Sequence, residues 1–175
     1  DKFFDVEAEK SFEGWLDESL KFIDKIQLKD AETWKKCVNL FRAKTDTDRA
    51  WWAGEFWGKL MRGACFCYSY SKDPELFAVL KGAVEDLLTT EDEFGRITTY
   101  RVDAEFDGWD VWVRKYVLLG MQYFIEISDD KEFNQKLIDC MCRQMEYFMS
   151  KIGPVTVGKK PITKATRHWR GLNSS

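Results

Sequence analysis

The sequence predicts an all-α fold made of repeated α/α hairpins. Apolar residues recur at helical spacing over six segments, and almost no segment alternates as a β-strand does. Two of these segments are apolar on nearly every side, two others have one charged face, and the two kinds alternate along the chain. A shift of 57 residues places the second pair on the first. Such a repeat is typical of an α/α solenoid or toroid.

The helices are predicted, in chain order, over residues 11–26, 30–44, 51–71, 74–89, 108–127 and 130–150. The third and fifth are the apolar ones, so we expect them to be neighbouring, roughly parallel inner helices, with the fourth and sixth packed outside them. In each repeat the outer helix follows an S-x-D-x-E turn. Asp73 and Asp130 are therefore predicted N-caps, and Pro74 is predicted to occupy the first helical position.

Composition excludes several classes of protein. A length of 175 residues suits one domain, residues 1–175, and the net charge of −3 argues against a nucleic-acid partner. No segment approaches the roughly eighteen apolar residues of a membrane helix, and no signal-peptide pattern opens the chain. The five cysteines are expected to be reduced and mostly buried, without a metal site. These features predict a cytoplasmic protein with no membrane partner.

One stretch, residues 103–112, combines acids with tryptophans where a long connection enters the fifth helix. A calcium loop is disfavoured, because Arg114 stands where such a loop needs a bidentate glutamate. A plain helix start is one alternative, with Asp107 as cap and Asp110 paired to Arg114. The other alternative is a sugar-binding mouth, because carboxylates accept hydroxyl hydrogen bonds and flat rings cover the C–H faces of a sugar. In this hypothesis Glu105, Asp107 and Trp109 contact the ligand.

The second long connection, residues 151–175, is basic and carries the only histidine, His168, beside Trp169. The repeat places both long connections at the same end of the helices, and loops of this length in a helical domain are usually functional. His168 is therefore a candidate for the same mouth. The basic loop either neutralises the acidic one or recognises an acidic sugar.

The stretches WWAGEFWGKLMRGACFCYSYSKDPEL, FGRITTY and RHWRGLNSS resemble the bacterial six-hairpin glycosidases of the β-L-arabinofuranosidase type, glycoside hydrolase family 127 and its relatives. The resemblance covers roughly residues 50–175. It implies an (α/α)6 toroid of which this chain is the N-terminal half, and a parent enzyme that hydrolyses plant-type or bacterial oligosaccharides. The family's catalytic residues and its zinc-bound cysteine lie in the other half. The resemblance therefore implies no catalytic residue, metal or cofactor here, and no activity for this half alone.

The resemblance also extends the set of expected sugar contacts. Glu55 and Tyr100 belong to the matching G-E-x-x-G-K and G-x-I-x-T-Y elements, and Arg114 stands where family members carry a sugar-contacting histidine. The predicted substrate-binding residues are Glu55, Tyr100, Glu105, Asp107, Trp109, Arg114, His168 and Trp169.

Two functions remain open on this evidence. One is a part of a glycoside hydrolase with a carbohydrate substrate. The other is a non-catalytic helical repeat module that binds a carbohydrate or a peptide on its concave face. In both cases an uncovered inner-helix face is expected to drive self-association or pairing with the missing C-terminal half.

Overall fold

The computed structural model describes residues 12–46, 52–106, 108–153 and 157–159. These ranges contain six α-helices: α1 Trp15–Ile23, α2 Ala31–Ala43, α3 Glu55–Ser71, α4 Pro74–Leu88, α5 Asp110–Ile127 and α6 Lys131–Lys151. The described part of the chain contains no β-strand, so the predicted all-α class is confirmed. No helix among these residues has the length and hydrophobicity needed to cross a bilayer.

The helix starts follow the local sequence closely. Asp73 precedes α4 and accepts hydrogen bonds from the backbone N–H groups of Glu75, at 2.8 Å, and Leu76, at 3.4 Å. Asp130 precedes α6 and accepts one from the N–H of Phe133 at 3.0 Å. Both predicted N-caps are thus confirmed, and Pro74 opens α4 as expected.

Several helix boundaries differ from the prediction; the first helix, for example, begins at Trp15 instead of residue 11. Helix α3 begins at Glu55 instead of residue 51, and α5 begins at Asp110 instead of residue 108. Gly108 has φ 53°, a left-handed conformation that cannot form part of a right-handed helix. The first helix ends early at Ile23, because the chain widens there into a π-helical turn, Asp24–Leu28.

Helices α3 and α5 pack against each other at very short range. A Cβ atom on Gly58 would lie 2.0 Å from the carbonyl oxygen of Tyr116, and one on Gly120 would lie 2.6 Å from the Trp57 ring. Contacts run in the same direction along both helices, since Glu55 bonds to Trp112 near their starts and the rings of Phe66 and Tyr123 meet further along. The two helices are therefore parallel. Contacting residues are separated by the same 57 positions as the sequence repeat.

The remaining long helices also share one direction. Lys29, just before α2, pairs with Asp73 at 2.6 Å, and Arg42 near the end of α2 pairs with Asp86 at 2.5 Å. Helices α2 and α4 are thus parallel. Lys81 of α4 likewise pairs with Asp130 at 2.9 Å, and Glu91 beyond α4 pairs with Arg143 of α6 at 2.7 Å. The core between these elements is apolar and includes Trp34, Phe41, Trp57, Leu80, Phe124 and Leu137.

Hydrogen bonds attach the connection between α4 and α5, residues 89–109, to the starts of α3 and α5. The Thr99 hydroxyl donates to the Asp46 carboxylate at 2.6 Å, and the same carboxylate accepts from the N–H of Ala53 at 3.0 Å. The Tyr100 hydroxyl accepts from the N–H of Trp109 at 3.1 Å. These bonds hold the connection at the end where α3 and α5 begin.

All five cysteines are free thiols, as expected. Cys65 and Cys140 are buried, Cys37 and Cys67 are half-buried, and Cys142 is exposed. Burial raises the pKa of Cys65 to about 12 and that of Cys140 to about 11, so both are inert structural thiols.

Candidate functional site

A cleft opens at the starts of α3 and α5. Its walls are three tryptophans, one carboxylate and one ammonium group, from Trp52, Glu55, Lys59, Trp109 and Trp112, and its volume is about 230 Å³. We call it the tryptophan cleft. Both helices contribute, so the parallel packing of α3 and α5 creates it.

The three indole rings form a continuous aromatic wall. Trp109 meets Trp52 edge to face, with ring centroids 5.7 Å apart, and meets Trp112 in the same way at 5.7 Å. Such edge-to-face pairs are favourable, so the rings hold one another in place. Trp52 is the outermost of the three and is 42% exposed as a residue, whereas Trp109 is partly buried.

Ammonium groups cover Trp112. Lys59 Nζ lies 5.6 Å and Lys115 Nζ 4.6 Å from the Trp112 ring centroid. Cation–π attraction fixes both side chains over the ring. Burial lowers the pKa of Lys115, and the nearby charges of Lys59 and Arg62 lower it further. The cleft therefore has a positive side beside its aromatic wall.

Glu55 supplies the carboxylate of the cleft. It is the first residue of α3, where the helix dipole favours a negative charge. Its side chain is 8% exposed; one oxygen accepts from Lys59 Nζ at 2.8 Å and the other from the indole N–H of Trp112. A carboxylate has about four lone-pair positions, so two remain for hydroxyl donors of a ligand.

A network of buried charged side chains also lies at the end where α5 begins. Glu105 accepts from Arg96 Nη1 at 2.9 Å, from Arg114 Nη2 at 3.4 Å and from the Tyr147 hydroxyl at 2.8 Å. Burial, followed by the bond to Glu105, raises the pKa of Tyr147 to about 12. Arg96 is 2% exposed. These three donors hold the Glu105 carboxylate in place within the network.

Asp110 completes the network. It is fully buried and accepts from the Thr98 hydroxyl, from the N–H of Phe106 at 2.8 Å and from Arg114 Nε at 3.1 Å. The predicted pairing of Asp110 with Arg114 is present. Asp110 also stabilises the turn at Phe106, whose φ of 62° is unusual for a residue with a side chain.

The structure places the predicted site residues in two groups. Glu55 and Trp109 line the tryptophan cleft. Tyr100 is fully buried beneath Trp109, and Glu105 and Arg114 belong to the charge network. Three further predicted contacts lie outside the described residues: Asp107, His168 and Trp169.

Sequence reasoning missed three members of the cleft, Trp52, Lys59 and Trp112. Two signals could have found them. Lys59 lies one helical turn after Glu55, the spacing of an ion pair on one helix face. Trp52 and Trp109 occupy equivalent positions of the 57-residue repeat, which brings equivalent helix starts side by side.

In the calcium-loop alternative Glu105 would be the third ligand position, but its carboxylate pairs with Arg96 and Arg114.

Comparisons with protein-family models, with curated proteins and with solved structures find no match to this chain. The chemistry of the cleft follows from its own groups. The indole faces offer flat apolar contact, Glu55 accepts hydrogen bonds and Lys59 donates them. A ligand that suits the cleft therefore has an apolar face and polar groups that can donate to Glu55 or accept from Lys59.

Proposed function

We propose that the tryptophan cleft binds a carbohydrate, as the sugar-binding part of a glycoside hydrolase-like α/α toroid. The observation that carries the proposal is that Trp52, which is 42% exposed, lines the cleft beside the Glu55 carboxylate and the Lys59 ammonium group. A sugar ring has C–H groups on its faces and hydroxyls around its edge. It can thus stack on Trp52 while its hydroxyls bond to Glu55 and Lys59.

The volume of the cleft suits one unit of a longer ligand. Its volume of about 230 Å³ is below the 300–1,000 Å³ typical of pockets that enclose a whole drug-sized ligand. One sugar unit of an oligosaccharide matches the space, with neighbouring units outside it. Plant-type or bacterial oligosaccharides, including arabinofuranosides, are the substrates that the sequence resemblance suggests.

The arrangement of the helices supports a toroid. Helices α3 and α5 are parallel and level with each other, and α2, α4 and α6 are parallel in a second set. Continued repetition of such pairs would form a ring of inner helices whose starts all face one end. The cleft lies at that end. The free thiols support a reducing compartment such as the cytoplasm.

A second candidate function is carbohydrate or peptide binding without catalysis. Glycosidases use two carboxylates on either side of the scissile bond. Among the described residues that line the cleft, Glu55 is the only acid, and it already bonds to Lys59 and Trp112. This favours binding over hydrolysis for this chain by itself.

Isothermal titration with neutral and acidic oligosaccharides tests the proposal. Trp52→Ala removes the exposed ring and is expected to weaken binding about tenfold or more, equivalent to about 1.4 kcal/mol. Trp15→Ala is the matched control, because Trp15 is 73% exposed in α1 and does not line the cleft. Equal loss in both variants, or no binding of any oligosaccharide by the unmodified protein, would overturn the proposal.

A further inference from the structure

A continuous apolar groove runs along the α5–α6 hairpin. Two adjoining cavities form it, with volumes of about 190 Å³ and about 410 Å³, and Leu118 and Met145 line both. Arg114 and Gln144 also line it, but they are only 5% and 3% exposed, so the accessible lining is mostly apolar. We call this surface the α5–α6 groove; it is formed by Val111, Leu118, Ile125, Ile138, Met145 and Phe148.

The 57-residue repeat identifies the groove as an interface position. In the first repeat, Lys81 of α4 pairs with Asp130 of the second at 2.9 Å, and Glu91 beyond α4 pairs with α6 at 2.7 Å. Ile138 and Phe148 occupy the equivalent positions of the second repeat. Both are apolar, and Ile138 is 40% exposed. The face that the second repeat covers on the first is therefore more apolar on the second, where no described helix covers it.

Lys115 decides how closely a partner can approach α5. Its equivalent in the first repeat is Gly58, where the Tyr116 carbonyl oxygen lies 2.0 Å from the Cβ position. The Lys115 side chain lines the groove instead, so no backbone can pack there as α5 packs on α3. A partner therefore meets this side of α5 through side chains, as protein subunits do at their interfaces.

The rim of the groove on α5 is positive at one end and negative at the other. Lys115, Gln122 and Glu126 follow one another at helical spacing and form one stripe. Burial lowers the pKa of Lys115, and the nearby charges of Lys59 and Arg62 lower it further, so that end is positive. Glu126 is exposed at the other end and accepts from Gln122 at 3.3 Å. An identical face turned by 180° would bring each Lys115 opposite a Glu126.

The apolar part of the groove has its midpoint at the same level. Ile138 and Met145 of α6 lie on either side of Cys142. The two rim charges have their midpoint between Leu118 and Gln122 of α5. These two side chains line the same cavity as Cys142, so both midpoints coincide. One two-fold axis at this level therefore matches the rim charges and also brings Ile138 of each copy to Met145 of the other.

We propose that the α5–α6 groove binds a second copy of this chain and forms a two-fold symmetric dimer. Ile138 of each copy contacts Met145 of the other, and Lys115 of each pairs with Glu126 of the other, around an axis near Cys142. Cyclic dimers are the commonest soluble oligomers, and an apolar centre inside a polar rim is the usual anatomy of such interfaces. The dimer is independent of carbohydrate binding in the tryptophan cleft.

Cross-linking with a short bis-maleimide tests the position of the axis. Cys142 is the exposed one of the five cysteines, so the unmodified protein at micromolar concentration is expected to become a covalent dimer. Cys142→Ser is expected to abolish this product. Gly82→Cys in the Cys142→Ser background is the matched control, because Gly82 is exposed on α4, with nothing within 4 Å of its Cβ position, and lies outside the groove.

Sedimentation equilibrium of charge variants tests the pairing across the axis. Lys115→Glu alone, or Glu126→Lys alone, places like charges opposite each other and is expected to raise the dissociation constant about tenfold or more. The double variant Lys115→Glu/Glu126→Lys pairs the charges in reverse and is expected to restore the affinity. Ile138→Glu places a charge in the apolar centre and is expected to give a monomer; because Ile138 is 40% exposed, this variant tests the groove even where the charge variants fold poorly.

A monomeric unmodified chain would overturn the proposal, and so would equal cross-linking of the Gly82→Cys variant. A double variant that binds no tighter than the single ones would contradict the two-fold pairing, and a dimer of Ile138→Glu would exclude the groove as the interface. None of these measurements involves an oligosaccharide, so the dimer and the carbohydrate site stand or fall separately.

Discussion

Gly58 shows how a single residue sets the position of the site. The carbonyl oxygen of Tyr116 lies only 2.0 Å from the position that a Cβ of residue 58 would take, and this closeness brings Glu55 within reach of Trp112. The tryptophan cleft exists because two backbones meet here with no side chain between them.

We expect Gly58→Ala to destabilise the protein by about 1–3 kcal/mol or more, because the new methyl group meets rigid backbone at 2.0 Å. Gly63→Ala in the same helix is the control, since nothing lies within 4 Å of its Cβ position. The control is expected to raise stability by roughly 0.5–1 kcal/mol through helix propensity. Urea unfolding measures both. Equal effects of the two variants would contradict the close packing described for α3 and α5.

Glu105 gives a second prediction at this scale. Glu105→Gln removes the negative charge between Arg96 and Arg114, both nearly buried. We expect a loss of about 1–3 kcal/mol in stability, because buried charged donors lose their partner. Asp103→Asn is the control: its side chain is 70% exposed, and such surface changes stay within about 0.5 kcal/mol. A melting temperature that is unchanged in Glu105→Gln would contradict this stabilising role, and a loss of sugar affinity in the same variant would support the predicted role of Glu105 as a ligand contact.

At the scale of elements, the connection 89–109 makes stability depend on acid pH. Burial alone would raise the pKa of Asp92, but hydrogen bonds from Arg96 and Lys44 outweigh it and hold the pKa at about 2. The carboxylate is therefore more acidic in the folded state than the ordinary value of about 3.9 in the unfolded state. The ionised Asp92 carboxylate therefore makes its full contribution to the free energy of unfolding above pH 4. That contribution is lost as the pH falls towards 2.

We expect Asp92→Asn to lower stability at pH 6 and to flatten the decline of stability between pH 4 and pH 2. Urea unfolding measured across this pH range checks the effect. An Asp86→Asn variant serves as control, since that carboxylate is 36% exposed and bonds to an arginine 41% exposed. A decline of the same steepness in Asp92→Asn as in the unmodified protein would contradict the role of Asp92.

The elements also show what the sequence could predict. Helix class and the N-caps Asp73 and Asp130 follow from signals within a few residues, so they were predictable. The start of α5 was misplaced because the left-handed turn at Gly108 depends on bonds to Asp110 and Tyr100.

The candidate site was only partly predictable, because it too depends on bonds between residues that lie apart in the sequence. Acids and tryptophans near residue 105 pointed to the end of the helices at which the tryptophan cleft lies. The sequence pattern alone could not show that Glu105 contacts two arginines and the Tyr147 hydroxyl, which lies 42 residues away in α6. Nor could it show that Glu55 bonds to Trp112 in the cleft. Such pairings depend on tertiary packing.

At the scale of the whole molecule, large apolar side chains are exposed on several helices. They include Trp15 at 73% and Phe22 at 65% in α1, Phe66 at 54% in α3 and Met149 at 54% in α6. Exposed apolar surface favours association. We expect the chain to form dimers or larger species at micromolar concentration, measured by light scattering after size exclusion. The double variant Phe22→Ser/Met149→Ser is expected to shift the association equilibrium towards monomer. A monodisperse monomer of the unmodified chain would contradict the expected association.

The central claim is that the tryptophan cleft binds a carbohydrate, and its most direct test observes the eight indole N–H groups. In ¹⁵N-labelled protein each gives a separate NMR signal, which single Trp→Phe variants assign. On addition of an arabinofuranose or uronic acid oligosaccharide, the signals of Trp52, Trp109 and Trp112 are predicted to shift together and to saturate. Those of Trp15 in α1 and of Trp34 in the core are predicted to stay in place. Shifts at Trp15 or Trp34 without shifts at the three cleft signals, or no shift with any oligosaccharide, would contradict the claim.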